Sequence, residues 1–205
     1  MKYPFSYAAA AVLLVLSCSA QASPITSPGD PALTGATVQN FDSVAAGDYL
    51  SLSLPGVTIN GNGSPVTICN GCGGGSGAFG DVGNSLQNTF GSPASFDLVF
   101  TAPVSAFGIQ GGAFNGVWTY TAYDSLDNVI ETLNVNHPCC GPFFDGIAHD
   151  GIARVNLNGS GDWVVFENLQ FVAGSITDVP EPATLALFGL GFAGLVRSAR
   201  RKQTS

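Results

Sequence analysis

Ser95-Phe-Asp-Leu-Val-Phe100 alternates apolar and polar residues, placing Phe96, Leu98 and Phe100 on one face of an extended chain. A helix would scatter these three side chains, so the period of two decides the local structure. Pro103 breaks the run, and Val104 to Gln110 follows as the next strand. Val117-Trp-Thr-Tyr-Thr-Ala-Tyr123 alternates in the same way and turns through Asp124 to Asn128 into Val129 to Val135. Farther on, Ile152 to Leu157 leads through Asn158-Gly-Ser-Gly-Asp162 to a last strand, Trp163 to Phe171.

Working back towards the N-terminus the signal thins but keeps its kind. Thr37 to Phe41 reads as a first strand, with weaker strands at Tyr49 to Leu54 and Gly56 to Ile59 on either side of Pro55. Asn60 to Ser64 is turn chemistry, and Val66 to Cys69 enters a glycine-rich loop that runs to Gly80. Strands of this length with no helical period between them predict an all-β antiparallel β-sandwich, jelly-roll-like, over residues 37–178. No internal repeat is visible, which excludes a β-helix. Ser23 to Ala36, with Pro24, Pro28 and Pro31, reads as an extended leader onto that domain.

The two ends have a different chemistry. Residues 1–22 hold one cation, Lys2, then an apolar run from Ala8 to Leu16 and the sequence Ala20-Gln21-Ala22 before Ser23. Signal peptidase needs small side chains at Ala20 and Ala22, so a signal peptide cut before Ser23 is expected. Cys18 could be read as a lipobox cysteine, but Leu16 is bulky where that motif takes a small residue. At the other end, Val179-Pro180-Glu181-Pro182 precedes a 14-residue apolar run, Ala183 to Val196. The cations Arg197, Arg200, Arg201 and Lys202 then stop it.

As a helix the run measures about 21 Å, short of a hydrocarbon core of about 30 Å. Snorkelling cations lengthen the effective span, and their position fits a cytoplasmic stop. A C-terminal transmembrane helix is therefore expected. The Val-Pro-Glu-Pro sequence, apolar helix and basic end resemble, in that order, the PEP-CTERM sorting signal over residues 179–205. The resemblance implies recognition by an exosortase-like membrane protease and cleavage near Pro180 to Pro182. It further implies a transient inner-membrane anchor, then delivery to the cell surface or extracellular matrix. Proteins with such tails look to be tied to exopolysaccharide and biofilm.

Charge argues against nucleic acid as a partner. Five of the six basic residues lie in the two ends, and all 14 acidic residues lie between Asp30 and Glu181. One cation, Arg154, against 14 acids leaves the exported part at −13, a charge that repels phosphate backbones. Such a surface suits calcium or neutral polymers. The body resembles carbohydrate-binding-like sandwiches, in which the first and last strands are neighbours that share a structural calcium. That resemblance implies Asp42, Glu167 and Asn168 as oxygen ligands.

Four cysteines remain after export: Cys69 and Cys72 in Cys-Asn-Gly-Cys, and the adjacent Cys139 and Cys140. An even number in an oxidising compartment points to disulfides. Joining the two loops, each of the first pair to one of the second, is the preferred pairing because an adjacent-cysteine ring is strained. Local Cys69–Cys72 and Cys139–Cys140 rings are the alternative. Zinc with His137 is a further reading, made awkward by the adjacent thiolates.

His149-Asp150 lacks the further ligands of a metal hydrolase, and no nucleophile elbow, zincin or P-loop motif is present. Three functions remain in order. A surface or matrix structural protein without chemistry of its own is first. A carbohydrate-binding module, with Trp118, Tyr120 and Tyr123 as stacking residues, is second. A secreted hydrolase, for which no constellation is found, is third.

Overall fold

The computed structural model describes residues 22–72, 83–88, 93–113, 116–138, 140–159 and 161–174. They form an antiparallel all-β chain with a single 3-10 turn, Pro31–Leu33, among the described elements. The first seven strands are short. They are β1 (Ser23–Ile25), β2 (Thr37–Gln39), β3 (Gly47–Tyr49), β4 (Ser51–Leu54), β5 (Val57–Asn60), β6 (Val66–Asn70) and β7 (Asn84–Gln87). The remaining five are longer: β8 (Ser95–Gly112), β9 (Val117–Tyr123), β10 (Val129–Asn136), β11 (Phe143–Asn158) and β12 (Val165–Ala173).

Two long strands organise the rest. β8 and β11 pair along almost their whole lengths, and each changes its outer neighbour halfway. The first half of β8 pairs with β5, its second half with β12. The second half of β11 pairs with β9, its first half with β1. A front layer therefore runs β4-β5-β8-β11-β9-β10, and a back layer runs β1-β11-β8-β12, continuing through β2 and β7 to β6 and β3. The corner between them falls where the β8–β11 register shifts, between Ala148, Ile152 and Arg154. Gly151 sits there with φ 87°, a conformation that favours glycine and lets the bulge bend the strand.

Pro103 lies at the same corner. It does not end the strand as expected but sits inside β8. Its missing N–H falls where pairing passes from one neighbour to the other, so no ladder bond is lost. The expectation of a separate strand from Ile152 is likewise corrected, because β11 already begins at Phe143 and carries His149 and Asp150 within it.

The layers pack face to face. Phe96 and Trp118 from the front meet Phe166 from the back, with ring centroids 5.3 to 6.3 Å apart in edge-on geometry. All three are fully buried. Trp118 Nε1 donates to Asp162 Oδ2 at 3.1 Å, which satisfies the one polar atom that the ring brings into the core. The alternation read from Phe96, Leu98 and Phe100 is this contact seen from one strand.

Residues 23–36 do not form a lead-in. β1 pairs with Gly146 to Ala148 of β11, and Ile25 and Leu33 are buried against Ala106 and Phe144 on the outer face of the back layer. Asp30 caps the 3-10 turn by accepting the Ala32 N–H at 2.9 Å. This small second core makes the segment part of the domain. Among the described residues no helix is long and apolar enough to cross a membrane. The expected transmembrane helix at 183–196 lies outside the described residues.

Candidate functional site

β1 stops pairing with β11 at Ile25 opposite Gly146, and the chain then turns away through Thr26 and Pro28. The start of β11, Phe143 to Asp145, is thereby left beside a cleft of about 380 Å³. Pro28, Pro142, Phe143 and Phe144 give it apolar walls, and Thr26, Gln110 and His137 give it polar groups. Successive residues of a strand point to opposite faces. Phe144 turns towards Leu33 and the second core, while Phe143 packs against the main one.

His137 follows β10 and is held from two sides. Its ring stacks on Phe143 with centroids 3.9 Å apart and planes 8° from parallel. Its Nε2 lies 2.7 Å from Asp145 Oδ2, so with Asp145 ionised Nε2 carries the proton. Burial pushes the Asp145 carboxyl above its ordinary value, and the hydrogen bond and charge of His137 offset part of that rise. Tyr120 is buried nearby. Burial first, and the Asp145 charge second, hold its hydroxyl in the neutral form well above the usual phenol range. Gln110 on β8 accepts the Asn168 Nδ2–H at 2.9 Å, which fixes the orientation of its amide. Two of the polar groups of the cleft, His137 and Gln110, are thus fixed by neighbours before any ligand arrives.

The expected site residues fall in separate places. Trp118 and Tyr120 are fully buried and serve the core, which corrects their reading as stacking residues. Tyr123 lies under the Arg154 guanidinium, 3.8 Å from ring centroid to carbon, and Arg154 also bonds Asp127 at 3.0 Å.

Cys69 is bonded to Cys72, their Cα atoms 5.7 Å apart, so the preferred loop-to-loop pairing is corrected to the local ring. A separation of three residues already brings these Cα atoms within disulfide reach. Cys140 is also disulfide-bonded, and Cys139 lies outside the described residues. With Cys69 and Cys72 oxidised, neither supplies a thiolate to zinc, and His137 is engaged by Asp145.

Of the residues expected to hold calcium, Asp42 accepts the Asn84 N–H and the Asn40 Nδ2–H, each at 2.9 Å. Glu167 is buried on β12 opposite Gln110, and Asn168 bonds that same Gln110. Glu167 and Asn168 therefore share a neighbour, while Asp42 is held by β7. The expected adjacency of the first and last strands is present, since β2 pairs with β12. Among the described residues no group of three or more His, Cys, Asp or Glu side chains could hold a metal ion.

Ser23, at the expected signal cleavage, is the first residue of β1, and Ala22 packs against the main core. Ala20 and the sorting residues Val179, Pro180, Glu181, Pro182, Arg197, Arg200, Arg201 and Lys202 lie outside the described residues. The sequence named His137 only as a neighbour of Cys139. It passed over Asp145, eight residues on, because nothing in their spacing announces that a turn after β10 folds one onto the other.

No curated protein matches the chain. Several solved structures superpose on it loosely. A mutant of CBM29-2, a family 29 carbohydrate-binding module, is 14% identical with a TM-score of 0.36, covering 72% of this chain and 98% of that one. The CBM22-1-GH10 modules of Clostridium thermocellum xylanase 10B with xylohexaose are 10% identical with a TM-score of 0.36, covering 64% and 28%. The enzymatically active domain of bacteriophage CBA120 tailspike protein 4 is 14% identical with a TM-score of 0.29, covering 68% and 19%. Residues 178–202 match the family model of the PEP-CTERM protein-sorting motif, and the chain is accordingly one that carries this sorting tail behind an all-β body.

Proposed function

We propose that the chain is an exported surface or matrix protein, cut by signal peptidase and by an exosortase, whose body has a structural role in the exopolysaccharide or biofilm outside the cell. The observation that carries this is the sorting motif at 178–202, only a few residues beyond the end of β12 at Ala173. Partition of charge supports the same reading. Cations are confined to the two ends but for Arg154, and the part between is acidic. Signal cleavage after Ala22 would free the chain at the first residue of β1, where the domain begins.

Replacing Pro180, Glu181 and Pro182 together by alanine tests the reading in the native host. The expected result is an unprocessed chain retained in the membrane fraction, with the wild type at the cell surface and beginning at Ser23. Normal release of the alanine variant would remove the proposal. Co-sedimentation of the wild type with the host's own exopolysaccharide tests the matrix role separately. Calcium at Asp42, Glu167 and Asn168 is a distinct proposal, supported by the adjacency of β2 and β12. Calcium should then raise the melting temperature, and no rise would discard it.

A further inference from the structure

We infer that the cleft between the β1 turn and the start of β11 binds one or two rings of a neutral sugar. Its volume of about 380 Å³ is at the lower end for small-ligand sites. The lining mixes two kinds of surface that a pyranose also mixes. Pro28, Pro142, Phe143 and Phe144 offer carbon surface to the C–H faces of a ring. Thr26, Gln110 and His137 offer a hydroxyl, an amide and an imidazole to its hydroxyls.

A wholly apolar ligand would cover the Thr26 hydroxyl and the Gln110 amide and return no hydrogen bond to them. An anionic sugar would enter the field of a body that carries −13 between the two basic ends, and its one Lys or Arg, Arg154, is already held by Asp97 and Asp127. A neutral polyol satisfies both constraints. The site is also preorganised. Stacking on Phe143 and the bond to Asp145 hold His137, and Asn168 holds Gln110, so little side-chain freedom remains to be lost on binding. Asp145 acts here as a positioning residue behind His137.

The inference rests on the proposed surface location only for the source of the sugar, and not for the chemistry of the cleft. Its test uses the full chain in a non-glycosidic detergent, so that no headgroup competes. Cellohexaose, mannohexaose, chitotetraose and polygalacturonate are titrated calorimetrically. Saturable binding of at least one neutral oligosaccharide is expected, with none of polygalacturonate. Thr26 is exposed, so two variants there leave the packing intact. Thr26→Trp should fill the cleft and weaken binding at least tenfold, and Thr26→Val should weaken it a few-fold. Ser51→Ala, on the outer face of the front layer, should leave it unchanged.

Absence of saturable binding to any of the neutral probes would overturn the inference. So would full binding by Thr26→Trp, or a preference for polygalacturonate. A chain that reaches the surface and binds no sugar loses only the cleft. One that binds sugar and is never processed loses only the sorting reading.

Discussion

The two outer faces of the sandwich meet different fates. On the front layer, Asn60, Asp97, Asn156, Thr121 and Thr132 follow one another across five strands at matching register. Ser51, Thr119 and Asn134 beside them are also polar, and several of these groups hydrogen-bond to one another. Ser51 Oγ donates to Asn60 Oδ1 at 2.8 Å, Asn156 Nδ2 to Asp97 Oδ1 at 2.6 Å, and Thr119 Oγ1 to Asn134 Oδ1 at 3.2 Å. On the back layer the same positions hold Ala106, Gly108 and Phe144, and the segment from β1 to the 3-10 turn lies over them. A Cβ on Gly108 would sit 2.4 Å from the Phe144 ring, so glycine is what lets that ring lie down on the sheet. A face left to water carries short hydrogen-bonding groups, whereas a face that is covered carries small ones. The cleft forms at the end of the covered face, where the cover peels away.

The two layers enclose one continuous core, and the largest effect is expected there. Trp118→Ala removes a fully buried ring that meets both Phe96 and Phe166, together with the indole N–H that Asp162 Oδ2 accepts. A loss of about 3–5 kcal/mol is expected in urea unfolding, with a melting temperature lower by about 10 °C or more. A loss under about 1 kcal/mol would mean that the layers do not share a core. Leu33→Ala strikes the cover alone. It should cost about 2 kcal/mol, less than the tryptophan because a surface segment can settle into the space. Amide exchange should quicken at Gly146 to Ala148, where β1 pairs, and not in β9. Equal quickening in both layers would make the cover inseparable from the rest.

Why the front layer was legible and the cover was not follows from this difference. Phe96, Leu98 and Phe100 bury one face against a partner layer and leave the other wet, which writes a period of two into the sequence. The stretch from Ser23 to Ala36 buries Ile25 and Leu33, eight residues apart, between prolines and a 3-10 turn. Two contacts at that spacing have no period, so composition alone spoke, and it spoke for a linker. β11 was half-read for a related reason. Gly146 and Asp145 lie where the strand is buried on both sides, and their residue types suggest a loop. The cleft depends on both of these segments together, so of its residues only His137, beside Cys139, carries a signal in the sequence. The sorting tail needed no fold at all, because its address is linear.

Asp145 reports on the back layer from inside it. Burial raises its folded carboxyl above the ordinary 3.8, so the native state holds that proton more tightly than the unfolded chain does. The stability it contributes is complete below 3.8 and is lost as the pH climbs through the raised value. The groups that face it are His137 and Tyr120, and the phenol stays neutral across this range. Asp145→Asn should therefore flatten the fall in stability as pH rises through that window, measured by urea unfolding at successive pH values. A steeper fall in the variant would show that pairing with His137 outweighs burial.

The smallest effect belongs to the open face. Ser51 is exposed on β4, where only β5 pairs with it among the described strands. Ser51→Ala removes the donor to Asn60 Oδ1, but that oxygen is exposed too and water replaces the lost partner. The change should stay within about 0.5 kcal/mol, an order of magnitude below the tryptophan. The Ser51 hydroxyl bond at 2.8 Å and the Trp118 N–H bond to Asp162 at 3.1 Å are each of ordinary length for their donor, so geometry does not rank them. Burial does. A cost above about 1 kcal/mol for Ser51→Ala would mean that the polar rows bind the front layer as the rings bind the core, and the two faces would then differ in chemistry but not in what they contribute to stability.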